Sequence, residues 1–163
     1  MRKYYEAYDE RYKAVHKKNL RWMGYESSPI VTEIIQKYGI SKENAFLEIG
    51  CGEGRDSIVL LENGYNLLAT DVSPEAVSYC KAQYKGYEER FSVLDAVKGK
   101  LDKKFDYIEY KSSNGTDFRA SLIPESHWCG GGETTLSGNF FNPNLPTEEV
   151  FISPKKGFQS CVY

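Results

Sequence analysis

One ten-residue run constrains this chain more than anything else in it. Leu47-Glu48-Ile49-Gly50-Cys51-Gly52-Glu53-Gly54-Arg55-Asp56 passes from an apolar strand, through three alternating glycines, directly into a helical segment. A turn of that kind needs the conformational freedom of glycine. Its bareness also lets backbone amides approach a ligand at the start of a helix. Glu48 stands near the strand's C-terminal end, where open α/β sheets bind ligands, and Cys51 lies inside the turn itself.

The surrounding pattern agrees with a nucleotide-type cradle. From 44 to 110 apolar strands alternate with helices: Ala45–Gly50, a helix over 55–64 closed by Gly64, Tyr65–Asp71, a helix over 73–85, then strands at 90–95 and 105–110. Ser73 is an N-cap candidate, Pro74 suits the first helical position, and Glu75 places negative charge in the first turn. This alternation predicts an α/β fold: a Rossmann-like parallel sheet flanked by helices.

Acids at the ends of the next two strands extend the site. Asp71 follows Gly50 by 21 residues and closes its strand. A carboxylate there accepts hydrogen bonds from both ribose hydroxyls of an adenosine cofactor. Helix capping before Ser73 is its other reading. Asp95 ends the third strand and, beside the Ala96 backbone, suits an adenine amino group, with a surface turn as the alternative. Val72 is included in the contact set next to Asp71.

The glycine spacing discriminates between cofactors. A dinucleotide fingerprint reads G-x-G-x-x-G, whereas here Arg55 stands where the last glycine would fall. With an acid two residues before the first glycine, the pattern E-x-G-x-G-x-G resembles motif I of class I methyltransferases. The segments 8–22 and 27–40 are similar to the N-terminal cap of small-molecule methyltransferases related to the tellurite-resistance and thiopurine enzymes. The resemblance covers about residues 4–110 and implies S-adenosyl-L-methionine as cofactor and a small-molecule methyl acceptor. It also implies a cap folded over the cofactor, with Tyr8, Arg11, Tyr12 and Trp22 lining the site unless these aromatics only pack the helix. Tyr12 and Trp22 are carried forward as cofactor contacts. His16 reads as a surface histidine rather than a catalytic base, and no catalytic residue is identified.

The cap, residues 1–43, is helical in pattern. Tyr4, Tyr8, Tyr12 and Val15 share helical spacing, and a second helix begins at Ser27-Ser28-Pro29 and ends at Gly39. The basic residues of the first 25 positions read as a solvated helix face. The 163 residues suit a single domain. Residues 111–163 depart from the pattern. They are rich in Gly, Ser, Asn, Pro and Thr, with a loop-like Cys129–Asn139 and only two short candidate strands, at 148–153 and 158–163. This tail is either a divergent, shortened second half or a truncated or frame-disrupted product. Loose order is expected in it.

Composition sets the remaining expectations. With 40% hydrophobic and 27% charged residues and a formal charge of −2, nothing points to nucleic acid or membrane as partner. No signal-peptide pattern and no apolar run of membrane-spanning length stand in the sequence, which predicts a cytoplasmic protein. Cys51, Cys80, Cys129 and Cys161 then read as reduced thiols. Without CxxC spacing, and with His127 and Cys129 lacking neighbouring ligands, no metal site is expected.

Overall fold

The computed structural model describes residues 5–96, 100–101, 105–111, 118–121 and 134–135. The glycine turn joins β1 (Phe46–Ile49) to α3 (Arg55–Glu62). Around this unit stand α1 (Glu6–His16), α2 (Pro29–Tyr38), β2 (Leu67–Asp71), α4 (Pro74–Gln83) and β3 (Phe91–Val93). Further along the chain are β4 (Lys100–Leu101), β5 (Tyr107–Lys111), β6 (Phe118–Ser121) and β7 (Thr134–Thr135).

Local chemistry sets the helix ends. Pro29 and Pro74 open α2 and α4, where the proline's missing N–H removes no helical bond. Ser73 caps α4, its side chain accepting from the Ala76 N–H at 3.2 Å. Gly39 closes α2 in the left-handed region at φ +59°.

The principal sheet has the order β3-β2-β1-β5-β6. The first four strands are parallel, with β1 flanked by β2 and β5 and with Glu48 opposite both Ala69 and Glu109. This is the α/β, Rossmann-like arrangement that the strand–helix alternation predicts. One face carries the larger core: Phe46, Leu67, Ala69 and Phe91 pack against Val31 of α2, Leu60 and Leu61 of α3, and Val77 and Cys80 of α4. Each large apolar side chain removed from water there contributes about 1.5–3 kcal/mol. On the other face Leu47 and Ile108 are covered by Leu94, Ala96 and Phe105, from the connection between β3 and β5.

Two elements lie where the sequence suggests loop. β6 runs antiparallel to β5, with Glu109 opposite Ala120. Only residues 112–117 join these strands, too few for a parallel crossover of a dozen or more residues. The second is β7, within the glycine-rich stretch, where the β-branched Thr134 and Thr135 pair antiparallel with Leu101 and Lys100. The candidate strands at 148–153 and 158–163 lie outside the described residues, as does most of the tail whose order was in question. Among the described residues, no helix is long and apolar enough to cross a membrane.

Candidate functional site

Parallel pairing brings the C-terminal ends of β1, β2 and β3 to one edge of the sheet. The glycine turn, Asp71 and the Asp95–Ala96 pair follow these neighbouring strands. Gly50, Gly52 and Gly54 all adopt positive φ, at 80°, 56° and 69°. The turn is moored to β2: the N–H groups of Gly50 and Cys51 both donate to the Thr70 carbonyl, at 2.7 and 2.9 Å.

Asp71 is 7% exposed, and its two oxygens accept from the Gly52 N–H (Oδ2, 2.8 Å) and the Ser73 N–H (Oδ1, 2.8 Å). It therefore braces the glycine turn and the approach to α4 together. Burial raises its carboxyl above the usual aspartate value, and the backbone N–H groups of Ser73, Gly52 and Val72 offset part of that rise. Val72 is half-buried beside it, and at the third strand end Asp95 is half-buried and Ala96 buried. The Leu94 N–H ties that strand end to the Asp71 carbonyl at 2.9 Å.

Glu48 is fully buried, and its Oε2 accepts from Ser57 Oγ at 2.6 Å, which fastens β1 to α3. Cys51 and Cys80 are buried free thiols. A hydrogen bond with Cys80, then burial, pushes the Cys51 thiol well up, so it stays protonated rather than nucleophilic.

Helix α1 lies against α4. Asp9 Oδ1 accepts from Ser73 Oγ (2.6 Å) and from the Glu75 N–H (3.0 Å). The cap then places Tyr12 over the turn, because an ideal β-carbon on Gly52 would lie 2.8 Å from the Tyr12 hydroxyl. Burial, then the negative charges of Asp71 and Glu53, push the Tyr12 phenol far up, so it stays a neutral hydroxyl, able to donate. Trp22 meets Tyr12 edge-on at 5.0 Å and stacks on Tyr8 at 6.2 Å, with the Arg11 guanidinium 4.6 Å from its ring centre. Tyr8, Arg11 and Tyr12 thus gather around Trp22, and Tyr12 reaches the glycine turn.

Two expectations are corrected. His16 is not a surface histidine: its side chain is only 10% exposed, with Nε2 3.0 Å from Glu53 Oε1 and Nδ1 2.9 Å from Glu75 Oε1. The basic face of the cap is not wholly solvated either, since Arg21 lies 9% exposed beside Glu53, while Lys17 and Lys18 are exposed as expected. Glu53 itself was passed over in the sequence. It is wholly buried and gathers the N–H groups of Trp22 (2.9 Å) and Met23 (2.7 Å).

The site has features that fit an adenosine cofactor. A carboxylate offers about four acceptor positions; the N–H groups of Gly52 and Ser73 take two and that of Val72 also favours the charge, which leaves acceptor capacity for a ribose hydroxyl. The turn has no side chain at Gly52, and Tyr12 presents a hydroxyl there. An open cleft of about 580 Å³, lined by Gly24–Pro29 and Arg55, includes none of Gly50, Gly52, Asp71 or Asp95 in its walls.

Comparison with known proteins divides the chain. The model of the tellurite resistance protein TehB family matches residues 13–112, and that of the thermophilic metalloprotease (M29) family matches residues 77–159. Among curated proteins, a ribosomal RNA small subunit methyltransferase of Arabidopsis thaliana is 31% identical over 108 residues, covering 61% of this chain and 30% of that protein. Aminopeptidase 2 of Geobacillus stearothermophilus is 36% identical over 76 residues, covering 46% of this chain and 17% of that protein. The chain thus spans less than a third of the length of these curated relatives. Among solved structures, the glycopeptide N-methyltransferase MtfA complexed with sinefungin aligns at 20% identity with a TM-score of 0.44, over 53% of this chain and 37% of that one. Most of the tail that fits no methyltransferase pattern falls inside the metalloprotease match. Where the two matches overlap, the structure builds β3 and β5 into the parallel sheet. The chain belongs to the tellurite resistance protein TehB family over residues 13–112 and to the thermophilic metalloprotease (M29) family over residues 77–159.

Proposed function

We propose that the chain binds S-adenosyl-L-methionine at the ends of β1, β2 and β3 and transfers its methyl group to a small-molecule acceptor. The observation that carries this reading is the buried Asp71 carboxylate bonded to Gly52 of a bare glycine turn, in a chain of the TehB family. Asp71 holds the ribose hydroxyls, Asp95 and the Ala96 backbone receive the adenine, and Gly50, Cys51, Gly52 and Gly54 line the turn. Glu48 sets the turn's seat through Ser57. Tyr12 and Trp22 close the cap from above, and Val72 lies beside the ribose.

The sulfonium activates the methyl group within the cofactor. The protein's task is therefore to align donor and acceptor and keep water out. A soft acceptor such as a thiol, selenium or tellurium compound needs little help from a general base.

A second reading is supported by the metalloprotease match over residues 77–159 and by the antiparallel β6. In it the chain holds the cofactor without turning it over, because the sequence beyond β5 does not follow the methyltransferase pattern. One experiment separates the two. Calorimetry with S-adenosylmethionine and S-adenosylhomocysteine tests binding, and release of S-adenosylhomocysteine over a panel of thiols tests turnover. Binding with product supports methyl transfer, binding without product supports the second reading, and absence of binding rejects both.

A further inference from the structure

Glu53 follows Gly52 in the turn, and its carboxylate is enclosed by the cap. Oε1 accepts from the Trp22 N–H at 2.9 Å and faces His16 Nε2 at 3.0 Å. Oε2 accepts from the Met23 N–H at 2.7 Å, with Arg21 Nε at 3.8 Å. The Glu53 carbonyl accepts from the Arg21 guanidinium at 3.2 Å and from the Tyr84 hydroxyl at 2.9 Å. A carboxylate is tolerated so far from water only when it is hydrogen-bonded and paired with positive charge.

His16 carries this connection onward to α4. Its second ring nitrogen faces Glu75, and its ring stacks on Tyr79 at 4.3 Å. His16 thereby bridges Glu53 of the turn and Glu75 of α4, and the Arg21 guanidinium is the positive charge beside the Glu53 carboxylate.

We infer that Glu53 is the positioning residue that seats the cap on the glycine turn, with His16 as its strut to α4, and that this clamp sets how tightly the turn's ligand is held. The reasoning is one of shared backbone. Gly52 bonds to Asp71, and the next residue bonds to the cap at Trp22 and Met23. Those bonds fix Trp22 and Met23 against the turn, while Asp9 separately holds α1, which carries Tyr12, on α4. The consequence for ligand rests on the S-adenosylmethionine reading, whereas the clamp does not.

Two measurements on Glu53→Gln test the inference. Site-resolved amide hydrogen exchange without ligand reads the clamp. Whichever of the Trp22 and Met23 amides faces the new NH2 group loses its acceptor and should exchange about tenfold faster or more, with β1 and β2 amides unchanged. Calorimetry with S-adenosylhomocysteine reads the consequence, an affinity about tenfold weaker. Unchanged protection at Trp22 and Met23 would overturn the clamp, as would equal loosening of β1 and β2, the mark of a general structural role. Freed amides with unchanged affinity would overturn its hold on the ligand. A parent protein that binds no S-adenosylhomocysteine, with an amide still freed in E53Q, would overturn the methyl-donor reading and support the clamp. His16→Gln, whose single amide cannot face both carboxylates as the ring does, takes the same two measurements with smaller expected effects and serves if E53Q does not fold.

Discussion

The Tyr12 hydroxyl stands 2.8 Å from where a β-carbon on Gly52 would lie, and Gly52 adopts φ +56°. Gly52→Ala therefore meets two obstacles: a left-handed backbone that costs an L-residue about 1–2 kcal/mol, and the tyrosine directly above. We expect the variant to stay folded, lose about 1–2 kcal/mol of stability and lose S-adenosylhomocysteine binding. Tyr12→Phe removes the obstructing oxygen. The double variant should then be less destabilised than the sum of the singles, a non-additivity that thermal unfolding of the four proteins measures. Strict additivity would place Tyr12 elsewhere.

Gly54 faces a harder environment. A β-carbon there would lie 2.8 Å from Tyr84 Cε2, 3.0 Å from Cys80 Sγ and 3.1 Å from Phe91 Cε1, at φ +69°. These neighbours belong to the packed core between α4 and β3, where overpacking costs about 1–3 kcal/mol beyond the backbone strain. Gly54→Ala should thus destabilise the fold more than Gly52→Ala, seen as the lower midpoint in urea. The reverse order would show that this core yields more easily than the cap.

Asp71 gives the site a pH dependence of definite sign. Burial raises its carboxyl above the ordinary 3.8. As pH falls, the folded protein takes up this proton before the unfolded chain does. Its ionised form therefore costs stability, and that cost is relieved as pH drops through the raised value. Ligand binding moves the other way, because a protonated Asp71 loses acceptor strength toward the ribose. Affinity for S-adenosylhomocysteine should begin to fall at a pH above 3.8, and the acid-side slope should be absent in Asp71→Asn. Asp71→Ala at neutral pH should weaken binding by about 1–3 kcal/mol, with Asp71→Asn milder. An Asp71→Ala protein that binds like the parent would remove the ribose assignment.

What was legible in the sequence was local. Pro29, Ser73, Pro74 and Gly39 mark their helix ends through short-range rules, and the glycine turn and Asp71 lie within one strand–helix–strand unit. What was illegible depended on distant partners. Glu53 stands between two glycines at a position the glycine pattern does not specify, and its partners Met23, Trp22 and His16 lie 30, 31 and 37 residues away. His16 was misjudged for the same reason, since its other carboxylate is 59 residues distant. The two-residue β7 exists only through its pairing with Lys100–Leu101, and no window around Thr134 carries that information. The metalloprotease likeness of 77–159 shows in the sequence only as a tail that departs from the methyltransferase pattern.

Asp9 provides the last prediction, because it links the cap to α4 independently of Glu53. Its Oδ1 accepts from Ser73 Oγ and the Glu75 N–H, and its Oδ2 pairs with Lys13 at 2.7 Å. Partial burial alone would raise its carboxyl, but the bonds from Lys13, Ser73 and Glu75 outweigh this and lower it below 3.8. A depressed folded value means that Asp9 adds stability above the unfolded value, and that this is lost as pH falls through the folded one. Removing two charge-assisted bonds at the start of a helix costs about 1–2 kcal/mol. Asp9→Ala should therefore lower the thermal midpoint at pH 7, and the gap to the parent should narrow in acid below pH 3.8. A gap constant with pH would mean that packing rather than charge holds α1 on α4. The Trp22 and Met23 amides should remain protected in Asp9→Ala, since Glu53 holds them. Loss of their protection would instead make Asp9 and Glu53 two parts of one cap attachment.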